Sequence, residues 1–286
     1  MRILVLGISG MLGHTAFGLL NRTPDLEVFG TARSESARAR LDSSLHHKVI
    51  VGVDVLDHDA LLGALARIRP DVVLNCVGLI KQLENANDPL AALPLNALFP
   101  HRLRRACELL GARLIHISTD CVFSGTKGNY KESDIPDAND LYGRSKLLGE
   151  VVEQNSITLR TSIIGRELGG NNGLVEWFLS QKGKVRGYTK AVFSGLTTDE
   201  LVGVVVQHVL PNPQLSGLWH VSSAPIAKHD LLTLVRDVYG TDIQIEPDDT
   251  LKIDRSLNSD RFRTETGYSP PTWAQMITAM RNFEVN

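Results

Sequence analysis

Short apolar runs alternate with longer amphipathic segments along the first 165 residues. The runs are rich in β-branched side chains and end at glycine or polar residues, which is typical of strands buried on both faces of a parallel sheet. The predicted strands are 2–6, 27–32, 49–53, 71–78, 113–118 and 157–164. The segments between them predict helices at 14–21, 60–68, 94–110 and around 142–146. This alternation predicts an α/β fold, a Rossmann-type doubly wound parallel sheet with its site along the carboxyl edge.

The second part of the chain has a less regular pattern. It predicts helices at 174–181, 198–209, 229–239 and 272–283, and one short strand at 218–221. A stretch rich in glycine and asparagine at 169–173 predicts a loop near the substrate. We expect residues 1–165 to form an NADP(H)-binding Rossmann domain. Residues 166–286 are expected to form mainly a smaller C-terminal substrate-binding lobe, with some strands or helices rejoining the core.

A glycine cluster follows the first strand and opens the first helix. Gly7 would allow a tight turn, Gly10 would let the backbone approach a pyrophosphate, and Gly13 would let the helix pack closely on the strand. The phosphates would lie on the helix N-terminus. The cofactor-binding candidates in this turn are therefore Gly7, Ser9, Gly10, Met11, Leu12 and Gly13.

The end of the second strand indicates which dinucleotide is bound. Arg33 stands where an NAD-binding domain commonly has an acid for the ribose hydroxyls. A guanidinium at this place suits a 2′-phosphate, so NADP(H) is preferred and NAD(H) is the alternative. We interpret Arg38 and Arg40, which follow closely, as side chains that solvate a helix.

Two further strand ends are expected to contact the cofactor. Asp54 and Val55 follow the third strand and are expected to meet the adenine ring. Cys76, Val77 and Gly78 end the fourth strand, where backbone could pass under the nicotinamide ribose. We interpret Cys76 as a small buried apolar residue rather than a nucleophile.

The chemistry is carried by the stretch that follows the fifth strand. Tyr142 and Lys146 are four residues apart, so on a helix both side chains share one face. An ammonium held close to the phenol would lower the pKa of Tyr142 and make it a usable proton donor or acceptor near neutrality. Thr119 would aim a hydroxyl at the same substrate oxygen. A Tyr-x-x-x-Lys pair alone is also compatible with an ordinary exposed helix turn, and it gains weight only beside the glycine turn.

The charge and the amino-acid composition limit the kinds of binding partner that are expected. The formal net charge is −2 and the isoelectric point is near 6.5, so no basic excess is available for a nucleic acid or a membrane surface. The three cysteines, Cys76, Cys107 and Cys121, form neither a disulfide framework nor a zinc motif. The first residues match neither a signal peptide nor a membrane span, so a cytoplasmic location is expected. No metal site is predicted, because Glu132, Asp134 and Asp137 are interpreted as solvated loop acids.

These motifs together resemble an extended short-chain dehydrogenase/reductase, and within it the dTDP-4-dehydrorhamnose reductase family. The resemblance covers nearly the whole chain and rests on GISGMLG (7–13), ISTDCVFSG (117–125), YKESDIPDANDLYGRSKLLGE (130–150), LRTSIIG (159–165), GLTTDEL (195–201) and DRSLNSDRF (254–262). It implies NADPH-dependent reduction of the 4-keto group of a nucleotide-linked 6-deoxy-4-ketohexose, in deoxysugar and cell-surface polysaccharide biosynthesis. A homodimer is common among similar proteins and is left open.

The resemblance also implies residue roles. Tyr142 matches the catalytic acid, Lys146 its pKa-lowering and ribose-binding partner, and Thr119 the substrate-orienting hydroxyl. The implied substrate-binding residues are Thr119, Asp120, Ser162 and Ile163, and both Tyr142 and Lys146 are also expected to contact the cofactor.

Three departures from the family pattern border the sugar and leave its identity open. Cys121 stands where an aromatic residue usually follows the Ser-Thr-Asp motif, and Ile163 stands where tryptophan is typical. The loop at 79–83 also differs from the usual one.

Two other functions stay open from the sequence. The chain could bind the dinucleotide as a non-catalytic regulatory subunit. It could also be a nucleotide-sugar epimerase or dehydratase, which uses the same Tyr and Lys and returns the hydride to the sugar; the acid that a dehydratase needs beside the threonine is present as Asp120.

Overall fold

The computed structural model describes residues 1–81 and 84–283, so Gln82 and Leu83 of the divergent loop lie outside the described residues. The strands are β1 (Arg2–Leu6), β2 (Glu27–Ala32), β3 (Val49–Val51), β4 (Val72–Asn75), β5 (Arg113–Thr119), β6 (Ser156–Thr161), β7 (Ile163–Ile164), β8 (Lys184–Tyr188), β9 (Ala191–Phe193), β10 (Leu196–Thr197), β11 (Gly217–His220), β12 (Ile226–Ala227), β13 (Gln244–Asp248) and β14 (Ile253–Asp254). The α-helices are α1 (Met11–Asn21), α2 (Glu35–Arg38), α3 (His58–Ile68), α4 (Pro89–Ala92), α5 (Phe99–Leu110), α6 (Leu141–Leu148), α7 (Leu174–Leu179), α8 (Thr198–Val204), α9 (Lys228–Tyr239), α10 (Asp260–Thr266) and α11 (Trp273–Asn282). Tighter or wider helical turns are 3₁₀ at Ser43–Lys48, Glu84–Asn87 and Asp120–Val122, and π at Leu93–Leu98 and Val205–Val209.

The central sheet has seven parallel strands in the order β11-β6-β5-β4-β1-β2-β3. Alternate residues of β1 enter opposite cores: Ile3 and Val5 pack on the side of α1, while Leu4 and Leu6 pack on the side of α3 and α5. Both faces of the sheet are therefore covered, which is why β1 reads as a continuous apolar run. The order of the strands, which reverses beside β1, confirms the predicted doubly wound Rossmann-type fold.

The region after residue 165 is built from small sheets and helices. Two parallel strands, β8 and β13, form one sheet, and β12-β9-β14 form another. Several elements contact the first region. β11 pairs with β6 at the edge of the central sheet, and α8 lies against α1, where the Thr15 and Thr198 hydroxyls meet at 3.2 Å. The loop predicted at 169–173 lies between β7 and α7.

Several predicted elements differ from the structure. The strand predicted at 71–78 ends at Asn75, because the Asn75 side chain accepts the N–H of Val77 at 3.0 Å and bends the chain. The helix predicted at 94–110 begins at Pro89 and widens into a π turn at Leu93–Leu98 before α5. The strand predicted at 157–164 is interrupted at Ser162, whose carbonyl accepts the N–H of Leu196 at 2.8 Å, so that β7 leaves the central sheet and pairs with β10.

A buried ion pair joins β5, β6 and β11 to the segment that follows α6, near the carboxyl edge of the sheet. Arg160 on β6 donates from Nε and Nη2 to the two oxygens of Glu150, both at 2.7 Å, and the side chains are only 3% and 6% exposed. The Ser118 hydroxyl on β5 donates to the same carboxylate at 2.7 Å. His220 on β11 accepts from Arg160 through Nε2 (3.3 Å) and donates through Nδ1 to the Tyr130 carbonyl (3.0 Å).

Replacing Glu150 with alanine should lower the free energy of unfolding by about 3–5 kcal/mol, because Arg160 would stay buried without its counter-charge. Urea denaturation of wild type and variant measures the difference. Glu246→Ala, which breaks an exposed pair with Lys184, is the matched control and should leave the unfolding midpoint almost unchanged. A Glu150→Ala variant as stable as the control would contradict this account of the ion pair.

Candidate functional site

The turn between β1 and α1 is tight and leads directly into the N-terminus of the helix. Gly7 has a φ of +82°, and a Cβ added to Gly13 would collide with the Gly7 carbonyl oxygen. Both observations confirm the predicted tight turn and the close packing of helix on strand. Among the described residues, no group accepts a hydrogen bond from the first N–H groups of α1, at Met11, Leu12 and Gly13. These donors and the positive end of the helix fit a pyrophosphate.

The end of β4 lies directly against this turn. A Cβ on Gly7 would come within 2.8 Å of the Val77 side chain and 3.4 Å of the Cys76 carbonyl carbon. Cys76 is half-buried, and burial raises the pKa of its thiol to about 12. A thiol that stays protonated is a poor nucleophile, which agrees with its interpretation as a small apolar residue.

The ends of β2 and β3 carry the other cofactor candidates. Arg33 is exposed directly after β2, whereas Arg38 pairs with Glu35 at 2.6 Å on α2, as expected for a side chain that solvates a helix. The Asp54 carboxylate is exposed and accepts the N–H of Leu56 at 2.9 Å, and Val55 is buried. Asp54 thus shapes its own turn, and Val55 is positioned by the core.

Thr119 ends β5 in a network with its two neighbours. Its hydroxyl accepts the N–H of Cys121 at 3.1 Å and donates to the Asp120 carboxylate at 3.2 Å. Asp120 is buried, and burial raises the pKa of its carboxyl against the opposing charge of Arg255. The sheet register places Thr119 beside Thr161, so Ser162 and Ile163 follow at the same edge of the sheet, half-buried.

Helix α6 carries Tyr142 and Lys146 and is held at two glycines. Asp140 caps its first turn by accepting the N–H of Gly143 at 2.7 Å. A Cβ on Gly143 would collide with the Cys121 carbonyl, and a Cβ on Gly149 would collide with the Asn96 carbonyl. The helix therefore lies in backbone contact with two segments. At one end it contacts the turn at 119–123 that follows β5 (the Thr119 turn), and at the other end the π turn at 93–98.

Tyr142 and Lys146 lie on one helix, but the predicted lowering of the Tyr142 pKa is wrong in direction. The pKa of the Tyr142 phenol is raised, mainly by burial, with smaller contributions from Cys121, Asp120 and Asp140, while a hydrogen bond with the Thr119 side chain lowers it. Lys146 is not among these causes. The loss of water around the ring and the nearby acidic groups all disfavour the phenolate. Together they raise the pKa of Tyr142 by more than any nearby cation lowers it.

Lys146 is turned toward the end of β4. Its Nζ donates to the carbonyl of Ile117 at 2.8 Å and lies 3.8 Å from the point where a Cβ of Gly78 would stand. The side chain is buried, and this burial lowers its pKa to about 8, with Glu150 opposing the shift. The amine is thus placed beside the strand end that was predicted to pass under the nicotinamide ribose.

Asn96 is a site residue whose role was missed from the sequence. It is buried in the π turn, where its side-chain oxygen accepts the N–H of Leu79 at 2.8 Å. Its amide donates to the Leu79 carbonyl at 3.1 Å and to the Ser145 hydroxyl at 3.2 Å on α6. Asn96 therefore fixes α6 against the chain that follows β4. An asparagine inside an otherwise apolar helix between two prolines was the available signal, since π turns often occur at functional sites.

Arg255 is the second missed residue. It follows β14 and reaches the Thr119 turn, where Nε donates to the Phe123 carbonyl at 2.8 Å and Nη1 lies 3.7 Å from the Cys121 sulfur. The contact is between residues more than 130 positions apart, and the available sequence signal was the DRSLNSDRF motif (254–262), on which the family resemblance partly rests.

Residues 1–81 and 84–283 contain no group of three or more His, Cys, Asp or Glu side chains arranged to hold a metal ion. None of the helices in those ranges combines the length and apolar character needed to cross a bilayer.

The chain is similar to several known proteins. The family model described as RmlD substrate binding domain matches residues 1–282. The probable low-salt glycan biosynthesis reductase Agl14 of Haloferax volcanii is 29% identical over 96% of this chain and 96% of its own. Methionine adenosyltransferase 2 subunit beta of Bos taurus is 35% identical over 54% of this chain and 43% of its own.

A solved structure shows the same fold. The dTDP-4-dehydrorhamnose reductase from Bacillus anthracis, in complex with NADP, superposes with a TM-score of 0.80 at 20% identity and covers 98% of each chain. The likeness extends over the central sheet and the region after residue 165.

The lowered pKa of Lys146 predicts a pH-dependent stability. Below pH 8 the amine is charged in both the folded and the unfolded chain, and its burial destabilises the fold. Between pH 8 and 10.5 only the unfolded chain keeps the proton, so stability from this group rises with pH. A Lys146→Met variant should gain on the order of 3 kcal/mol over wild type at pH 7, less the lost hydrogen bond to Ile117, and this advantage should disappear by pH 10.5.

Urea denaturation at several pH values tests this. Taking the difference between the two proteins removes the contribution of the buried cysteines and tyrosines, which also titrate above pH 8. A difference that does not change with pH would contradict the placement of the amine.

Proposed function

Because the chain belongs to the RmlD substrate binding domain family, we propose that it is an NADPH-dependent oxidoreductase. It reduces the 4-keto group of a nucleotide-linked 6-deoxy-4-ketohexose, as in deoxysugar and cell-surface polysaccharide biosynthesis. The observation that supports the proposal is the position of Lys146, which lies beside Gly78 next to the strand end that packs against Gly7, on the same helix that brings Tyr142 to the Thr119 side chain. The Haloferax volcanii relative is named a glycan biosynthesis reductase, which supports a reductase of the same kind.

The cofactor proposal rests on three features of this chain. The free N–H groups of α1 would bind the pyrophosphate, Lys146 would hold the nicotinamide ribose at Gly78, and Arg33 would bind a 2′-phosphate. Reduced nicotinamide, once bound, would supply the hydride for the sugar carbon. The NADP complex of the Bacillus anthracis protein supports the same choice.

Tyr142 acts as the proton donor. Its raised pKa keeps the phenol protonated at neutral pH, so the acid form needed for reduction is the resting form. The Thr119 hydroxyl, which donates to Asp120 in this structure, would turn toward the carbonyl oxygen as negative charge develops there. Residues after 165 chiefly hold the sugar nucleotide over these groups, with Ser162 and Ile163 at the sugar.

Replacing Tyr142 with phenylalanine should reduce turnover by about 10²–10⁴-fold, because the substrate oxygen loses its proton donor. NADPH affinity should stay near the wild-type value, since the ribose and phosphate contacts are made elsewhere. The loss of reduced-nicotinamide absorbance with a pool of 4-keto nucleotide sugars measures turnover. Tyr188→Phe, on β8, is the matched control and should keep full activity. A Tyr142→Phe enzyme with normal turnover would remove the phenol from the mechanism.

Arg33→Ser should weaken NADPH binding by about ten- to hundredfold and leave NADH binding unchanged, because a charge-assisted contact with the 2′-phosphate contributes about 1.5–3 kcal/mol. Fluorescence titration with each dinucleotide measures both affinities. Arg38→Ser, whose guanidinium already pairs with Glu35, should change neither affinity by more than a few-fold. Equal effects of the two substitutions on NADPH would contradict the assigned role of Arg33.

A second candidate is a dinucleotide-binding subunit without turnover. It is favoured by the Bos taurus relative, which is named a subunit of methionine adenosyltransferase 2. Copurification with a partner enzyme, together with no net oxidation of NADPH by any 4-keto nucleotide sugar, would favour this function. Conversion of the sugar without net oxidation would instead indicate an epimerase or a dehydratase.

A further inference from the structure

Residues 166–173 connect β7 to α7 and reach the glycine turn. At the end of this segment, a Cβ on Gly173 would stand 3.5 Å from the sulfur of Met11, the first residue of α1. In its exposed middle, a Cβ on Gly169 would stand 3.2 Å from Nη1 of Arg40, which follows α2. The segment therefore crosses the edge of the sheet between the start of α1 and the residues after β2, where the pyrophosphate and the 2′-phosphate are proposed to bind.

Both ends of this segment are fixed in the core. Before it, Gly165 lies so close to Thr198 on α8 that a Cβ would come within 2.6 Å of the threonine hydroxyl oxygen. After it, Val175 and Phe178 of α7 are buried. Between the two ends, residues 169–172 are exposed. The part that can move without disturbing the core is therefore this short tip, residues 169–172.

Glu167 holds the tip in place. Its carboxylate accepts the N–H of Asn172 at 3.1 Å and the N–H of Gly173 at 3.0 Å, and its own N–H donates to Glu176 on α7 at 3.2 Å. Hydrogen bonds to an ionised carboxylate are roughly twice as strong as neutral ones. Gly170, in the tip, has a φ of +103°, which side chains with a Cβ rarely adopt. The closed conformation thus depends on one carboxylate and one glycine.

We propose that residues 169–172 are a latch over the adenosine half of the dinucleotide, and that Glu167 is the positioning residue that keeps the latch closed. The proposal rests on the proposed function only in taking a dinucleotide as the ligand of the glycine turn. The tip has to lift from Arg40 before the adenosine half can enter or leave, so opening of the tip limits the rate of exchange. The latch is a barrier rather than a contact, because it is closed with and without the ligand.

The test measures the association and dissociation rates of NADPH by stopped-flow fluorescence. Gly170→Ala strains the closed tip without changing any charge, so both rates should rise by about fivefold or more. Because both rise together, the dissociation constant should stay within about twofold of the wild-type value. Gly240→Ala, which places a Cβ at a φ of +68° at the end of α9, is the matched control. It should lower the unfolding midpoint as Gly170→Ala does and leave both rates unchanged.

Glu167→Gln is the second variant. It weakens the two bonds to the tip, so NADPH should again dissociate about fivefold faster or more. The loss of a negative charge near the glycine turn would by itself slow the release of an anionic ligand. Faster release in Glu167→Gln therefore reports on the latch, and slower release would overturn the role of Glu167.

Wild-type rates in Gly170→Ala would overturn the latch. So would a weaker affinity with an unchanged association rate, since that marks a direct contact with the ligand. A wild type that binds neither NADPH nor NADH would overturn the latch together with the proposed cofactor. Faster exchange in both variants, without oxidation of NADPH by any 4-keto nucleotide sugar, would remove the reductase and keep the latch, and turnover with unchanged exchange rates would do the reverse.

Discussion

The contact of α6 with the two backbone segments on either side of it is the constraint on which the site depends. At Gly143 and Gly149 there is no room for a Cβ, so the helix packs at backbone distance against the Thr119 turn and the π turn. The buried pair of Glu150 and Arg160 then fixes the end of the same helix to β5, β6 and β11. These contacts fix the positions of Tyr142 and Lys146, as a preorganised site requires.

This packing also decides the protonation states. The helix is so close to the Thr119 turn that Tyr142 loses water and meets Asp120 and Cys121, and its phenol is held in the acid form. One turn further along, Lys146 is buried against the Ile117 carbonyl, and its pKa falls to about 8. A protonated phenol and an amine that titrates near neutrality are the states expected of a donor and of a group that can exchange protons with its surroundings.

Much of the fold was predictable from the sequence because it depends on local pattern. The apolar runs of β1 and β2 and the glycines at 7, 10 and 13 each specify a strand or a turn by themselves, and their alternation specifies the doubly wound sheet. The match of the family model to residues 1–282 confirms the resemblance drawn from the motifs.

The parts that were not predictable depend on contacts between distant segments. The π turn at Asn96 exists because its side chain bonds Leu79 and Ser145, and β11 is part of the central sheet because it pairs with β6. The pKa of Tyr142 was predicted in the wrong direction because helical spacing places Lys146 on the same face but says nothing of burial. Arg255 meets Cys121 only through the docking of β14 on the Thr119 turn, which is a tertiary contact.

The central claim, that this edge of the sheet joins a reduced nicotinamide to a sugar carbonyl, is tested most directly by isotope transfer. NADPH carrying deuterium at C4 of the nicotinamide, on either face, is incubated with the protein and a pool of 4-keto nucleotide sugars, and the products are analysed by mass spectrometry and NMR. The account predicts deuterium at C4 of the sugar from one of the two labelled faces only, with one NADPH consumed per sugar. Sugar products without deuterium, or no product from any sugar in the pool, would contradict it.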